Sequence, residues 1–184
     1  GGKGILTSRN HKTGTDRIFE AYKKLNISNV DYILNLQGDE PNIDKDDIIN
    51  LNNFMINNDS EIGTLAAIIK DDKMLVNKNI VKAITESKLD KDNFPTALNF
   101  TRDNLSKNNP NTYHHIGIYS YKASTLEKFV SLSQTKNEIE NRLEQLRALD
   151  SKLKINVALA KSSSIGVDTE EDYLAIKKIM EYKS

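Results

Sequence analysis

The stretch from Asp31 to Pro41, DYILNLQGDEP, constrains the fold more than any other part of this sequence. Tyr32, Leu34 and Leu36 alternate with Ile33, Asn35 and Gln37, so an extended chain carries apolar side chains on both faces. That pattern predicts a strand buried inside a sheet. The run stops at Gly38, two carboxylates follow at Asp39 and Glu40, and Pro41 breaks the chain. Asp44-Lys45-Asp46-Asp47 then opens a helical pattern, with Asp44 as its N-cap. Strand, acidic turn and helix place Asp39 at the carboxyl end of a strand, where open α/β sheets bind ligands. A solvated acidic turn gives the same spacing, so the pattern alone leaves both readings open.

Composition narrows the classes. The 184 residues suit one α/β domain with room for a small lobe. Lys and Arg number 26 and Asp and Glu number 26, which leaves no excess charge for a nucleic-acid stripe or a polybasic membrane patch. No apolar run approaches the roughly 18 residues a membrane helix needs. No charged-plus-apolar leader is seen, so a cytoplasmic protein is expected. Cysteine is absent, which removes disulfides, thiolate zinc sites and cysteine nucleophiles together. With three histidines only, His11, His114 and His115, a metal would have to be held by oxygen, which points to magnesium or a similar hard ion.

Elsewhere strands and helices alternate, which argues an α/β sheet. Ser8 to Arg17 reads as a polar loop that delivers Asp16 and Arg17 to a helix marked by Ile18, Tyr22 and Leu25. Ile48, Leu51, Phe54 and Met55 mark a helix over 46–57. Strands are expected at 63–69, 80–85, 96–100, 113–121 and 155–160, with charged or turn-rich loops at 86–94 and 103–111. In the strand at 113–121, His115, Gly117, Tyr119 and Tyr121 share one face and Ile116 and Ile118 the other. A short helix is expected at 123–132. The longest helix is expected over 137–153, with a stripe of Ile139, Leu143, Leu146 and Leu153 and a Glu138–Arg142 pair. A closing helix carries Leu174, Ile176, Ile179 and Met180 behind Asp168 and a capping pattern at Thr169–Asp172. The middle strands and the turn-rich loop, at about 86–122, are expected to form a lobe.

Three constellations could carry chemistry. Asp39 and Asp168 each follow a strand and precede a helix, and two such carboxylates can share a divalent cation with substrate phosphates. Two helix N-terminal acids favoured by the helix dipole explain them equally well. His115 and Tyr119, with Arg102 beyond the preceding strand, would suit an anionic sugar or acid, although ordinary strand packing also accounts for the His and the Tyr. Thr13-Gly14-Thr15-Asp16-Arg17 could bring a backbone amide to a phosphate or base, or could simply cap a helix. There is no GxGxxG, no Walker A and no Ser in a nucleophile-elbow context.

Five strings taken together resemble the cytidylyltransferase family that activates 3-deoxy-manno-octulosonate (Kdo): HKTGTDRI from His11, NLQGDEP from Asn35, HIGIYSYK from His115, LEQLRAL from Leu143 and GVDTEEDY from Gly166. The resemblance runs through nearly the whole chain. It implies a single domain over residues 1–184 with a Rossmann-like, GT-A-like three-layer nucleotidyltransferase fold and a small lobe that makes a homodimer. It also implies CMP transfer from CTP to Kdo for lipopolysaccharide biosynthesis, with release of pyrophosphate. By the same resemblance Asp39 and Asp168 match catalytic magnesium ligands. Gln37, Arg102, His115, Tyr119, Glu144 and Gln145 match positions around the sugar, and Thr13, Gly14, Asp16 and Arg17 match the stretch near the cytosine nucleotide.

Departures from the family define the alternatives. The family begins with a strand and a basic loop that grips the triphosphate, whereas this sequence opens on Gly1-Gly2-Lys3-Gly4, so a sheet lacking its N-terminal strand is expected. Thr101-Arg102 is followed by DNLSKNNPN rather than a Pro-rich loop. The alternatives are a cytidylyltransferase for another acidic sugar, such as an 8-amino Kdo analogue or a sialic acid, and a truncated, inactive binding or dimer-forming partner.

Overall fold

The computed structural model describes residues 2–38, 40–106, 110–161, 167 and 170–181, with the side chains of 172, 175, 179 and 180 left aside. The six described strands form one sheet of order β4-β3-β5-β2-β6, with β1 paired to β5 off that path. The strands are β1 (Tyr32–Asn35), β2 (Ile62–Ala67), β3 (Lys82–Thr85), β4 (Ala97–Thr101), β5 (Thr112–Lys122) and β6 (Ile155–Leu159). The helices are α1 (Gly14–Leu25), α2 (Lys45–Asn57), α3 (Lys73–Val76), α4 (Ala123–Ser131), α5 (Lys136–Asn141), α6 (Gln145–Asp150) and α7 (Glu170–Glu181). Four-residue α3 is too short to show a helical period in the sequence.

The organising element is β5. One edge of it pairs antiparallel with β2 along its length, and the other edge pairs with β3 near Thr112–His114 and with β1 near Tyr119–Lys122. Its pairing with β2 jumps from Thr64↔Tyr119 to Leu65↔Ile116, so Gly117 and Ile118 form a bulge. The alternation of β5 decides the two cores. Tyr113, Tyr119 and Tyr121 pack with Leu126 and Phe129 of α4, with Leu143 and Leu146, and with Ile18 and Phe19 of α1. Ile116 and Ile118 pack on the opposite side with Leu51 and Met55 of α2. Helices on both faces of the sheet make three layers, as expected.

The Asp31–Gln37 strand departs from its expected place. Among the described residues β1 pairs with β5 alone, three of its four residues are only half-buried, and Leu36 beyond it is 52% exposed. Apolar side chains do lie on both faces: Ile33 joins the first core, while Tyr32 and Leu34 join the second. Asp44 caps α2 as expected, its side chain accepting from the Asp46 amide at 2.8 Å.

The long helix expected over 137–153 is two short helices. Arg142 ends α5 in the left-handed region (φ 53°) and turns the chain before α6 begins. The expected Glu138–Arg142 pair is replaced by a buried pair between Glu138 and Arg147, with bonds of 2.8 and 2.6 Å. Glu138 also closes a capping box with Thr135. A straight helix would have pointed Glu138 at Arg142 in solvent; the break lets it reach across the corner instead. The stripe splits accordingly, with Leu143, Leu146 and Leu153 buried and Ile139 58% exposed. In α7, Ile176 is buried and Leu174 is exposed, while the side chains of Asp168, Thr169, Asp172, Ile179 and Met180 lie outside the described residues. No helix among the described residues is long and apolar enough to cross a membrane.

Where β2 runs under α2, Gly63 is needed for space. An added Cβ would stand 2.5 Å from Met55 Sδ, 2.9 Å from Phe94 Cζ and 3.1 Å from Leu51 Cδ1. Gly63→Ala should therefore destabilise the fold by about 1–3 kcal/mol, an overpacking cost, read as a lower midpoint in urea unfolding; an unchanged midpoint would show that Met55 moves aside freely.

Candidate functional site

Among the described residues, the site residues expected from the sequence, Arg17 apart, fall into two groups joined by the aromatic face of β5. The first group surrounds His115. Its Nε2 lies 3.1 Å from Thr64 Oγ1 and 3.0 Å from the Tyr119 hydroxyl. Thr64 Oγ1 lies 2.7 Å from the Ile118 carbonyl and 3.3 Å from that of Ile116, so its proton goes to the backbone and its lone pair is left to accept from an Nε2–H imidazole. Phe100 meets the His115 ring edge-on at a centroid distance of 5.0 Å. Burial pulls the His115 pKa down to about 3, with the neighbouring His114 and the positive charge of Arg102 adding to the shift. His115 is thus a neutral group at ordinary pH. Tyr119 is likewise held protonated, because burial pushes its pKa well above the phenol range and the charges of Tyr121 and Glu144 add to the shift.

Arg102 stands at the end of β4, half-exposed, with Nη1 donating to the Asn79 carbonyl at 2.8 Å and reaching the Lys78 carbonyl at 3.4 Å. Gln37 projects over the bulge of β5. A Cβ placed on Gly117 would stand 3.8 Å from its Oε1, an ordinary van der Waals distance, so the amide lies directly over Gly117. β5 thus presents a neutral imidazole and a phenol, Gln37 after β1 adds an amide, and Arg102 after β4 adds a cation whose charge is felt at His115. Such a set suits a ligand with a carboxylate and several hydroxyls.

The second group is the N-terminus of α1. Thr13 caps it, its hydroxyl accepting from the Asp16 amide at 3.3 Å. Thr13 and Gly14 line a cavity of about 480 Å³ together with Lys12, Gln134, Glu138, Ile139, Arg142, Leu143 and Glu144. Glu144 is thereby brought beside Thr13 and Gly14, although it is far from them in sequence. Burial raises its pKa, while the Thr13 and Thr15 hydroxyls and Arg147 pull the other way. Its Oε1 is buried without a hydrogen-bond partner, with the Arg147 guanidinium 3.8 Å away. Gln145 is half-buried at the first position of α6. Tyr121, stacked on Tyr119 at 5.9 Å, links the two groups through Thr15 and Glu144.

Arg17 is not part of either group. Its Nη1 donates to Thr7 Oγ1 at 2.7 Å and to the Ser8 carbonyl at 3.0 Å, which straps the leading segment to α1. Glu20 completes the strap by accepting from the Ser8 amide, from Lys24 and from His11, and these partners hold its pKa down at about 2. Asp39 and Asp168 lie outside the described residues. Among the described residues no cluster of three or more His, Asp or Glu is arranged to hold a metal. Gly38 and Pro41 near the first carboxylate and Val167 before the second line a common cavity of about 500 Å³.

Sequence reasoning passed over Thr64, Lys82 and the Glu138–Arg147 pair. Thr64 gives no signal in an apolar run. Lys82 does, as a lone cation inside Ile80-Val81-Lys82-Ala83-Ile84. Arg147 lay in a string already noted, but its partner depended on the helix break.

Comparison with known proteins gives the family and the fold. The cytidylyltransferase family matches residues 1–155. A 3-deoxy-manno-octulosonate cytidylyltransferase of Thermodesulfovibrio yellowstonii is 41% identical over 98% of this chain and 74% of that protein. One of Bartonella henselae is 40% identical over 96% of this chain and 72% of that protein. A solved structure of CMP:2-keto-3-deoxy-manno-octonic acid synthetase complexed with CTP superposes with a TM-score of 0.87 at 28% identity, covering all of this chain and 74% of that one. A 4-diphosphocytidyl-2C-methyl-D-erythritol synthase from Anaerococcus prevotii, at 15% identity over 93% of this chain and 68% of that one, with a TM-score of 0.59, shows the shared fold alone.

The burial of His115 has a measurable sign. Its folded pKa lies below the ordinary 6.5, so below pH 6.5 the unfolded chain takes up a proton that the folded chain refuses. The stabilisation is whole above pH 6.5 and is lost as the pH falls toward about 3. The His115 ring resonances, assigned by their disappearance in His115→Gln, should not titrate between about pH 8 and pH 5; a midpoint near the ordinary histidine value would overturn the neutral-donor assignment.

Proposed function

We propose a catalytic function from the premise that the chain belongs to the family of 3-deoxy-manno-octulosonate cytidylyltransferases. The protein transfers CMP from CTP to Kdo. The anomeric hydroxyl of the sugar attacks the α-phosphorus of CTP, the bond to the β-phosphate oxygen breaks, and CMP-Kdo and pyrophosphate leave. The observation that carries this reading is the superposition of the whole chain on the CTP-complexed synthetase, with His115 and Tyr119 on one face of β5, Gln37 against Gly117, Arg102 beyond the end of β4 and Glu144 beside the α1 N-terminus.

Each residue has a share in the work. Arg102 takes the sugar carboxylate through the guanidinium nitrogens that the Lys78 and Asn79 carbonyls leave free. His115 and Tyr119, both uncharged, donate to and accept from sugar hydroxyls without drawing the carboxylate out of place. Gln37 orients the sugar from above Gly117. Thr13 and Gly14 at the α1 N-terminus, with Asp16 in its first turn, serve the cytosine nucleotide, and Glu144 and Gln145 close the sugar side. Holding both substrates in line is a large part of catalysis at phosphorus, where little covalent chemistry falls to the protein.

Asp39 and Asp168 are the oxygen ligands we assign to magnesium, and Gly38 and Val167, their chain neighbours, bordering one cavity support that pairing. The ion would neutralise triphosphate charge. We further assign the product to lipopolysaccharide biosynthesis in the cytoplasm, and the stretch over about 86–122, with edge strand β4, to a homodimer contact.

Purified protein given CTP, Kdo and magnesium should release pyrophosphate in step with Kdo consumed, and no release above background would sink the proposal. A panel with an 8-amino Kdo analogue and a sialic acid decides the sugar. Asp39→Asn should lower turnover by about a hundredfold or more with an unchanged unfolding midpoint, a loss typical of removing one electrostatic partner at a reacting centre. Normal turnover and normal magnesium dependence in that variant would remove Asp39 from the metal site. Arg102→Ala should raise the KM for Kdo by about tenfold or more and leave that for CTP within about twofold; an equal rise in both would contradict its assignment to the sugar.

A further inference from the structure

We propose that Lys82, which touches neither substrate site, is a positioning residue that sets Arg102 for recognition of the acidic sugar; the proposal rests on the assignment of Arg102 given above. Lys82 lies in β3 and is 0% exposed. Burying an ammonium is costly, and a Met or Leu would fill similar volume without that penalty. The charge must therefore be accounted for by its partners.

Its hydrogen-bond partners are two backbone carbonyls, and the Asp103 carboxylate also favours the charged form. The Lys82 ammonium donates to Asn77 O at 2.9 Å and to Arg102 O at 3.0 Å. Asn77 opens a tight turn: its Oδ1 accepts from the Asn79 amide at 2.9 Å and its carbonyl accepts from the Ile80 amide at 3.2 Å. The next two carbonyls of the same turn, Lys78 O and Asn79 O, receive the Arg102 guanidinium. Arg102 is thus held twice, by its own carbonyl through Lys82 and by its head group through the turn that Lys82 anchors. One ammonium closes the loop.

The register explains why β3 supplies the cation. Lys82 stands opposite Thr101 on β4 and opposite His114 on β5. It is therefore adjacent to the residue before Arg102 and to the residue before His115. From that position it fixes the end of β4 relative to β5, and the charge of Arg102 is felt at His115. Without the ammonium the Asn77 and Arg102 carbonyls lose a shared donor, and the turn and the guanidinium are free to shift together.

The test compares Lys82→Met, Arg102→Ala and the double variant in full steady-state kinetics. Lys82→Met should raise the KM for Kdo by about tenfold, with the KM for CTP unchanged, because displacement of a positioning group is felt only by the ligand it positions. The double variant should show little more than the Arg102→Ala loss, since Lys82 acts through Arg102. If Arg102→Ala raises the KM for Kdo and Lys82→Met does not, the positioning role is overturned and the function reading stands. If Arg102→Ala leaves the KM for Kdo unchanged, the assignment of Arg102 fails first. A rise for both substrates in Lys82→Met marks a general structural role and also overturns the proposal. Should Lys82→Met not fold, Asn77→Ala loosens the same turn from an exposed side chain. An unchanged KM for Kdo in that variant overturns the proposal as well.

Discussion

Everything in this structure depends on one strand serving two sets of neighbours. β5 is eleven residues long, and its edge opposite β2 is shared end to end by β1 and β3. A strand that pairs with one partner on each edge can slide by a residue pair at moderate cost. One that must satisfy three partners cannot, because each pairing fixes the same pleat. The bulge at Gly117–Ile118 shifts the register with β2, and Gln37 rests above its Gly117. Sheet register and the seat of the Gln37 amide thus meet at one residue.

The corner between α5 and α6 shows a second constraint. Glu138 and Arg147 are almost wholly buried and bond through two nitrogens, and Arg147 also lies over the Phe129 ring at 4.8 Å. A buried pair of this kind contributes little net stability against an apolar replacement, but once formed it strongly penalises any arrangement that separates the partners. It therefore dictates where the helix breaks. The break in turn delivers Leu143 and Glu144 to the cavity beside Thr13 and Gly14. A continuous helix would have carried Glu144 on a different face.

Charge is distributed along the site by burial. The aromatic line from Phe100 through His115, Tyr119 and Tyr121 to Phe129 excludes water and keeps the imidazole and the phenols neutral. Arg102 remains half-exposed at one end and Glu144 partly buried at the other. Neutral donors between a cation and an acid allow a polyhydroxylated acid to be oriented by its carboxylate without competing ion pairs.

The sequence by itself determined the alternation of strands and helices, the α/β class, the Asp44 cap, the two faces of β5 and the family, because these depend on period-two and period-3.6 patterns and on short strings of fixed spacing. It also put His115 and Tyr119 on one face of β5, where they meet. Local pattern could not decide the rest. Whether DYILNLQGDEP lies at the middle or the side of the described sheet depends on which strands pair, and pairing is a contest between distant segments. Whether 137–153 is one helix or two depended on Glu138 finding Arg147 rather than Arg142, a choice made by burial against Phe129. Lys82 stands out in the sequence only as a lone cation in an apolar run; tertiary structure alone puts the carbonyls of Asn77 and Arg102 within reach and makes its burial tolerable, because an ammonium leaves water only where oxygen atoms from separate parts of the chain converge on it.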